Sequence, residues 1–234
     1  MNKLAVISGG TKGIGLAIAH AFAREGLDIA VCSRHESDQQ AMQAIWRNTY
    51  PQQQLLTFPA DVSTPEGVQA FASFIMEHRP QVDVLVNNAG VFLPGHILEE
   101  PDGRLEQQIQ TNLYSAYRLT RALIKAIPRH GHIFNIASIA SFMAYPGGGS
   151  YTISKFAMLG FSKVLREELK SQYIKVTAVM PGATWSDSWK GDNLPPYERL
   201  MPPEDVAAMI VAAYRLGPSS VVEDIIIRPQ LGDL

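Results

Sequence analysis

The chain has 234 residues, 46% of them hydrophobic and 18% charged, with a net charge of −2. This size suits one large domain and the balance argues against disorder; the near-neutral charge argues against a nucleic-acid footprint. No apolar run reaches the ~18 residues of a membrane span, and the single Cys32 excludes an intrachain disulfide and a cysteine-based metal site, so no metal is expected.

Residues 4–7 form the first apolar run. It meets Gly9 and Gly10 too early for a secretory signal core, which points to a reducing, cytoplasmic setting. Residues 13–25 carry Ile14, Ala17, Ile18, Ala21 and Phe22 on one face of a 3.6-residue period, predicting a helix. A second apolar run at 27–33 is followed by a polar helix to about 48. Further runs stand at 55–59, 82–86, 132–137, 174–180 and 221–227, with room for a crossover helix between each. They read as near-continuous Val/Ile/Leu rather than alternating, as strands buried on both faces do. The alternation predicts an α/β, single-domain Rossmann fold: a doubly wound, seven-stranded parallel sheet with helices on both faces. Residues 182–203 are the least regular stretch and hold Trp185, Trp189 and Tyr197, which reads as a lid or binding loop.

Gly9, Gly10, Gly13 and Gly15, with Thr11, Lys12 and Ile14 among them, lie between the first strand and the first helix. Phosphate binding needs backbone N–H groups close to an anion and a helix N-terminus aimed at it. Glycine permits both the turn and the approach. The loop lacks the Gly-Lys-Ser/Thr ending of a nucleoside triphosphate site, which leaves a dinucleotide. An acidic residue at the end of the second strand would favour a ribose 2′-OH, and an arginine a 2′-phosphate. Ser33 and Arg34 stand there, with Lys12 as a second cation, so NADP(H) is expected over NAD(H). Glu36 and Asp38 lie just beyond and keep NAD(H) open, and Arg34 also reads as a solvated surface charge.

Tyr151 and Lys155 are one helical turn apart in an apolar-periodic segment. A neighbouring ammonium stabilises a phenolate, which would tune the phenol for proton transfer. Ser138 ends the fifth strand run, at the sheet edge where such folds bind ligands. Its hydroxyl is suited to a carbonyl oxygen that gains charge.

The pieces Gly9-x3-Gly13-Ile14-Gly15, Asp61-Val62, Asn87-Asn88-Ala89-Gly90, Asn112, Ser138, Tyr151-x-x-Ser154-Lys155 and Pro181-Gly182 stand in an order that resembles the short-chain dehydrogenase/reductase family, compact type. The resemblance covers the whole chain. It implies an oxidoreductase in which Tyr151 passes a proton and Lys155 lowers its pKa and holds the nicotinamide ribose. Ser138 then orients the substrate oxygen, and Asn112 distorts its helix to hold a relay water. It also implies that Asp61 and Val62 pass the adenine, and that Asn88, Ala89 and Gly90 pass the cofactor's ribose and adenine side. Asn87 is expected to be a structural hydrogen-bonder. Pro181, Gly182, Thr184 and Ser186 are expected along the nicotinamide and pyrophosphate; Thr184 and Ser186 depart from the usual residues there.

Phe92, Leu93, Met143, Tyr145, Trp185, Trp189, Tyr197 and Met201 are the candidate substrate-pocket residues, a mostly apolar and aromatic set fitting a neutral carbonyl compound. Residues 201–208 and 221–234 are similar to a sepiapterin-reductase-like branch. The central motifs resemble 3-oxoacyl-[acyl-carrier-protein] reductases as well. Arg118, Arg121, Lys125 and Arg129 after Asn112 offer either a basic face for an acyl-carrier-protein-linked substrate or a solvated helix surface. The family resemblance implies a homodimer or homotetramer. A non-enzymatic NADP-binding sensor is the alternative reading, against which the complete Ser, Tyr, Lys and Asn set argues.

Overall fold

The computed structural model describes residues 1–186 and 195–233. Among them are seven strands: β1 (Leu4–Ser8), β2 (Asp28–Ser33), β3 (Leu55–Pro59), β4 (Val84–Asn87), β5 (His132–Ile136), β6 (Lys175–Pro181) and β7 (Asp224–Ile227). They form one sheet in the order β3-β2-β1-β4-β5-β6-β7, every neighbouring pair parallel. The chain winds outward from β1 through β2 to β3, then returns to the other side of β1 with β4. The carboxyl ends of β1 and β4 therefore flank the topological switch point, where open parallel sheets hold ligands.

The helices are α1 (Gly13–Arg24), α2 (Glu36–Thr49), α3 (Pro65–His78), α4 (Arg104–Ile109), α5 (Ser115–Leu123), α6 (Gly149–Leu169) and α7 (Pro203–Tyr214). Ile18 and Phe22 of α1, Met42 and Trp46 of α2 and Ile210 of α7 pack on one sheet face against Ile7, Val31 and Val86. Phe71 and Ile75 of α3, Leu119 of α5 and Leu165 of α6 cover the other against Val6, Leu85 and Ile133. Each such side chain contributes about 1.5–3 kcal/mol by leaving water. The two-sided cover explains the continuous apolar strand sequences.

The expected strand at 221–227 begins three residues late. Val221 is exposed. Pairing starts only where the Arg166 guanidinium of α6 binds the Glu223 carbonyl and the Asp224 carboxylate. Among the described residues, no helix is long and apolar enough to cross a membrane.

Candidate active site

β1 ends in a buried Ser8 whose hydroxyl accepts from the N–H groups of Asn88 (3.0 Å) and Ala89 (3.1 Å). The Asn88 amide donates back to the carbonyls of Ser8 (3.0 Å) and Gly9 (2.9 Å). The loops after β1 and β4 are thus braced across the switch point. Gly9 has φ +65°, a left-handed conformation. A Cβ on Gly15 would stand 2.3 Å from the Gly9 carbonyl and 2.5 Å from the Asn88 amide, so only glycine fits beneath the brace. Lys12, the N-cap of α1, makes no side-chain cap. The first N–H groups of α1, which have no intrahelical acceptors, face the cleft through Gly13, Ile14 and Gly15.

On the other side of the cleft, Ser138 caps a 3-10 turn, Ile139–Ser141. Its Oγ accepts from Ala140 N–H (3.1 Å) while Ser141 Oγ accepts from Ser138 N–H (3.2 Å), which fixes the hydroxyl's direction. Tyr151 and Lys155 lie in the first turns of α6. Lys155 Nζ donates to the Ile136 carbonyl at 3.0 Å, two residues before Ser138, and lies 5.7 Å from the centre of the Tyr151 ring. The helix and the strand end are thereby tied at the point where the three groups meet.

Burial pushes the Tyr151 phenol up to about 12, against the nearby Ser138 hydroxyl, which favours the phenolate. Burial also holds Lys155 down at about 8. Burial is the leading cause of the raised phenol, and the neighbouring Tyr145 pushes the same way. Tyr151 is a neutral acid at pH 7.

Asn112 lies in a π-helical turn, Gln110–Tyr114, between α4 and α5, fully buried. The distortion expected at this residue is present. Its Oδ1 accepts from Val91 N–H (2.7 Å), and its Nδ2 donates to the Val91 carbonyl (3.0 Å) and to Ser154 Oγ (2.9 Å). Its Oδ1 and Lys155 Nζ flank Gly90, 3.2 and 3.7 Å from where a Cβ would be.

A cleft of about 680 Å³ joins these parts, running from Gly9 and Gly15 past Ser138, Tyr151 and Lys155 to Gly182. Lys12, Asn88, Ala89 and Gly90 line it near the glycine turn, and Pro181, Thr184 and Ser186 line the side after β6. Phe92, Met143 and Tyr145 also line the cleft, with Phe92 edge-on to Tyr151 at 4.7 Å.

Other expected residues lie elsewhere. Thr11 is buried beneath the turn. Ser33 and Arg34, at the end of β2, and Asp61, two residues after β3, are not among the residues that line the cleft. Arg34 is exposed, and Lys12 pairs with Asp38 at 3.0 Å. The Asp61 carboxylate turns onto Ser63 N–H and Oγ, and Val62 is packed into the core. Asn87 is the structural hydrogen-bonder expected, donating to Thr120 Oγ1 and Asn135 Oδ1. Leu93 is tied to Gln108 of α4. Trp185 packs on Tyr197, 5.5 Å between ring centres, and neither lines the cleft; the Trp185 backbone N–H donates to the Met201 carbonyl at 2.9 Å. Of the expected loop 182–203, residues 187–194, Trp189 included, lie outside the described residues. Arg118 and Arg121 stack on Tyr114 and Tyr117, while Lys125 and Arg129 fall beyond the end of α5.

Asp233 is a cleft residue that sequence reasoning missed. After β7 the chain turns back, and the Asp233 Oδ1 comes within 3.0 Å of where a Gly182 Cβ would be. Oδ2 pairs with Arg228, and Oδ1 is buried with no hydrogen-bond partner among the described residues. Nothing in Leu231-Gly232-Asp233 announces this; the reversal brings it there.

A family model described as short chain dehydrogenase matches residues 3–194. The chain belongs to the short-chain dehydrogenase family. It is similar to sepiapterin reductase of Chlorobaculum tepidum, 32% identical over 248 residues, covering 100% of this chain and 99% of that protein. It is also 32% identical over 219 residues to 3-oxoacyl-[acyl-carrier-protein] reductase of Chlamydia trachomatis, covering 88% of each. Among solved structures it resembles an alcohol dehydrogenase from the archaeon Thermococcus sibiricus complexed with 5-hydroxy-NADP. That likeness has a TM-score of 0.90 and 26% identity, over 99% of this chain and 98% of the other.

Proposed function

We propose that this short-chain dehydrogenase is an NADPH-dependent carbonyl reductase, with cofactor site and catalysis in one domain. The observation that carries it is the meeting of Ser138, Tyr151 and Lys155 in the same cleft as the glycine turn. NADPH suits the residues present. The open N-terminus of α1 takes the pyrophosphate, and Arg34 and Lys12 take the 2′-phosphate. The Thermococcus sibiricus neighbour was solved with an NADP derivative.

Bound NADPH supplies a hydride to the carbonyl carbon. Ser138 donates a hydrogen bond to the carbonyl oxygen and stabilises its developing charge. Tyr151, a neutral phenol at pH 7, gives that oxygen its proton. Lys155 stabilises the phenolate left behind, and Asn112 holds the backbone beside it.

The substrate is a planar ketone carrying N–H groups, the class to which a pterin side-chain ketone belongs. Phe92, Met143 and Tyr145 supply apolar walls, and the Oδ1 of Asp233, which has no partner among the described residues, accepts N–H donors. The likeness to sepiapterin reductase supports this reading. The likeness to the acyl-carrier-protein reductase supports a second one, a 3-oxoacyl thioester. A homodimer or homotetramer fits the exposed Ile153, Phe156 and Val164 of α6.

NADPH oxidation against sepiapterin, butane-2,3-dione and acetoacetyl thioesters tests the proposal. Turnover of sepiapterin, lost in Tyr151→Phe with NADPH binding retained, is the expected result. Undiminished turnover in Tyr151→Phe refutes the mechanism. Asp233→Asn should impair sepiapterin alone; an equal loss with the thioester refutes the pterin reading.

A further inference from the structure

Gly148, the N-cap of α6, provides no side-chain cap, so the helix that carries Tyr151 and Lys155 starts with uncapped N–H groups of its own. A distant residue supplies the missing acceptor. Glu100, from the loop between β4 and α4, places its carboxylate over the first turn of α6. Its Oε1 accepts from Ser150 N–H at 3.0 Å, and its Oε2 accepts from the same N–H at 3.3 Å and from Ser150 Oγ.

The backbone is shaped around this contact. A Cβ on Gly149 would stand 2.2 Å from Glu100 Oε1, and one on Gly95 would stand 3.0 Å from Glu100 Cγ. Gly149 has φ +40°, which suits glycine. A second bond, Gly95 N–H to the Gly147 carbonyl at 2.8 Å, joins the same two segments. Ser150 is buried, and the next residue is Tyr151. The loop that bears Glu100 also bears Phe92, edge-on to the Tyr151 ring.

We propose that Glu100 is a positioning residue: its carboxylate clamps the first turn of α6 onto the loop after β4 and so sets the Tyr151 phenol against Ser138 and the substrate wall. It touches no reacting atom. This rests on the carbonyl-reductase reading, because only then does the phenol's position govern a rate. Small misplacements of a reacting group cost up to about a hundredfold in rate.

The test compares wild type, Glu100→Ala, Glu100→Gln, Ser150→Ala and the Glu100→Ala/Ser150→Ala double variant. NADPH binding is followed by fluorescence, steady-state rates are measured with butane-2,3-dione and sepiapterin, and amide hydrogen exchange is measured on each protein. Glu100→Ala is expected to lower kcat about tenfold, with the NADPH Kd unchanged. Glu100→Gln, whose amide oxygen still accepts the Ser150 N–H, is expected to recover most of the rate. The double variant should lose no more than Glu100→Ala, since that substitution already removes the Ser150 Oγ bond, the one contact that Ser150→Ala breaks. Exchange at residues 148–152 should rise about tenfold in Glu100→Ala while β5 stays protected.

A kcat unchanged in Glu100→Ala, a loss of NADPH binding equal to the loss of rate, or no recovery in Glu100→Gln overturns the proposal. So does unaltered exchange at 148–152, which is read without any turnover. A wild type that binds NADPH but reduces neither compound counts against the carbonyl-reductase reading instead, and the exchange result still decides the clamp.

Discussion

Asn112→Ala separates a scaffold role for this residue from a purely chemical one. The wild-type amide satisfies both backbone groups of Val91, at 2.7 and 3.0 Å, and donates to Ser154 Oγ at 2.9 Å. Alanine strips Val91 of both partners. Ser154 keeps its own bond, donating to the Tyr151 carbonyl at 2.7 Å. A stranded, fully buried polar group costs about 1–3 kcal/mol. Val91 is only partly buried and water can relieve some of the loss, so the two groups together amount to about 2–3 kcal/mol. At roughly 2–4 °C per kcal/mol for a domain of this size, Tm should fall by roughly 4–12 °C. The rate should fall too, because Gly90 and Phe92 flank Val91 and face Lys155 and Tyr151. Calorimetry and urea unfolding measure the first effect, and NADPH oxidation the second. A variant that loses turnover while Tm stays within about 2 °C of wild type would refute the scaffold reasoning.

Arg34→Asp should weaken NADPH binding by at least about tenfold and leave NADH nearly untouched, since a carboxylate repels a 2′-phosphate and accepts from a 2′-OH; equal effects in a fluorescence titration would contradict the cofactor assignment. Lys155→Met should abolish turnover yet raise Tm at pH 7. Burial holds Lys155 at about 8, below its ordinary 10.5, so the unfolded chain binds more protons between those values. The cost of burying the ammonium is therefore complete below pH 8 and fades as pH approaches 10.5. At about 1.4 kcal/mol per unit it reaches about 3 kcal/mol, less about 1 kcal/mol for the lost bond to Ile136. Melting curves from pH 7 to 10 check this, and a gain that grows with pH would reverse the sign. Gly15→Ala should lower stability by about 1–3 kcal/mol through overpacking and weaken NADPH binding at the same time, because the new Cβ collides with the Gly9 carbonyl and the Asn88 amide; a titration matching wild type would remove the brace from the argument.

Local pattern determined a great deal about this protein. Continuous apolar runs marked the strands because a sheet covered on both faces leaves no polar side to alternate. The glycine turn, Ser138 and the Tyr151–Lys155 pair were legible because a tight turn, a strand end and an i,i+4 spacing are properties of short segments. Tertiary structure decided what depends on distant segments meeting. Asp233 reaches Gly182 and Glu100 reaches Ser150 only through chain reversals, and neither carboxylate lies in a recognisable motif. Asn88 lines the cleft, and only the fold shows that its amide braces the Ser8 and Gly9 carbonyls. The height of the Tyr151 pKa was likewise beyond sequence, because the pairing with Lys155 is a matter of spacing whereas desolvation is set by everything packed around it.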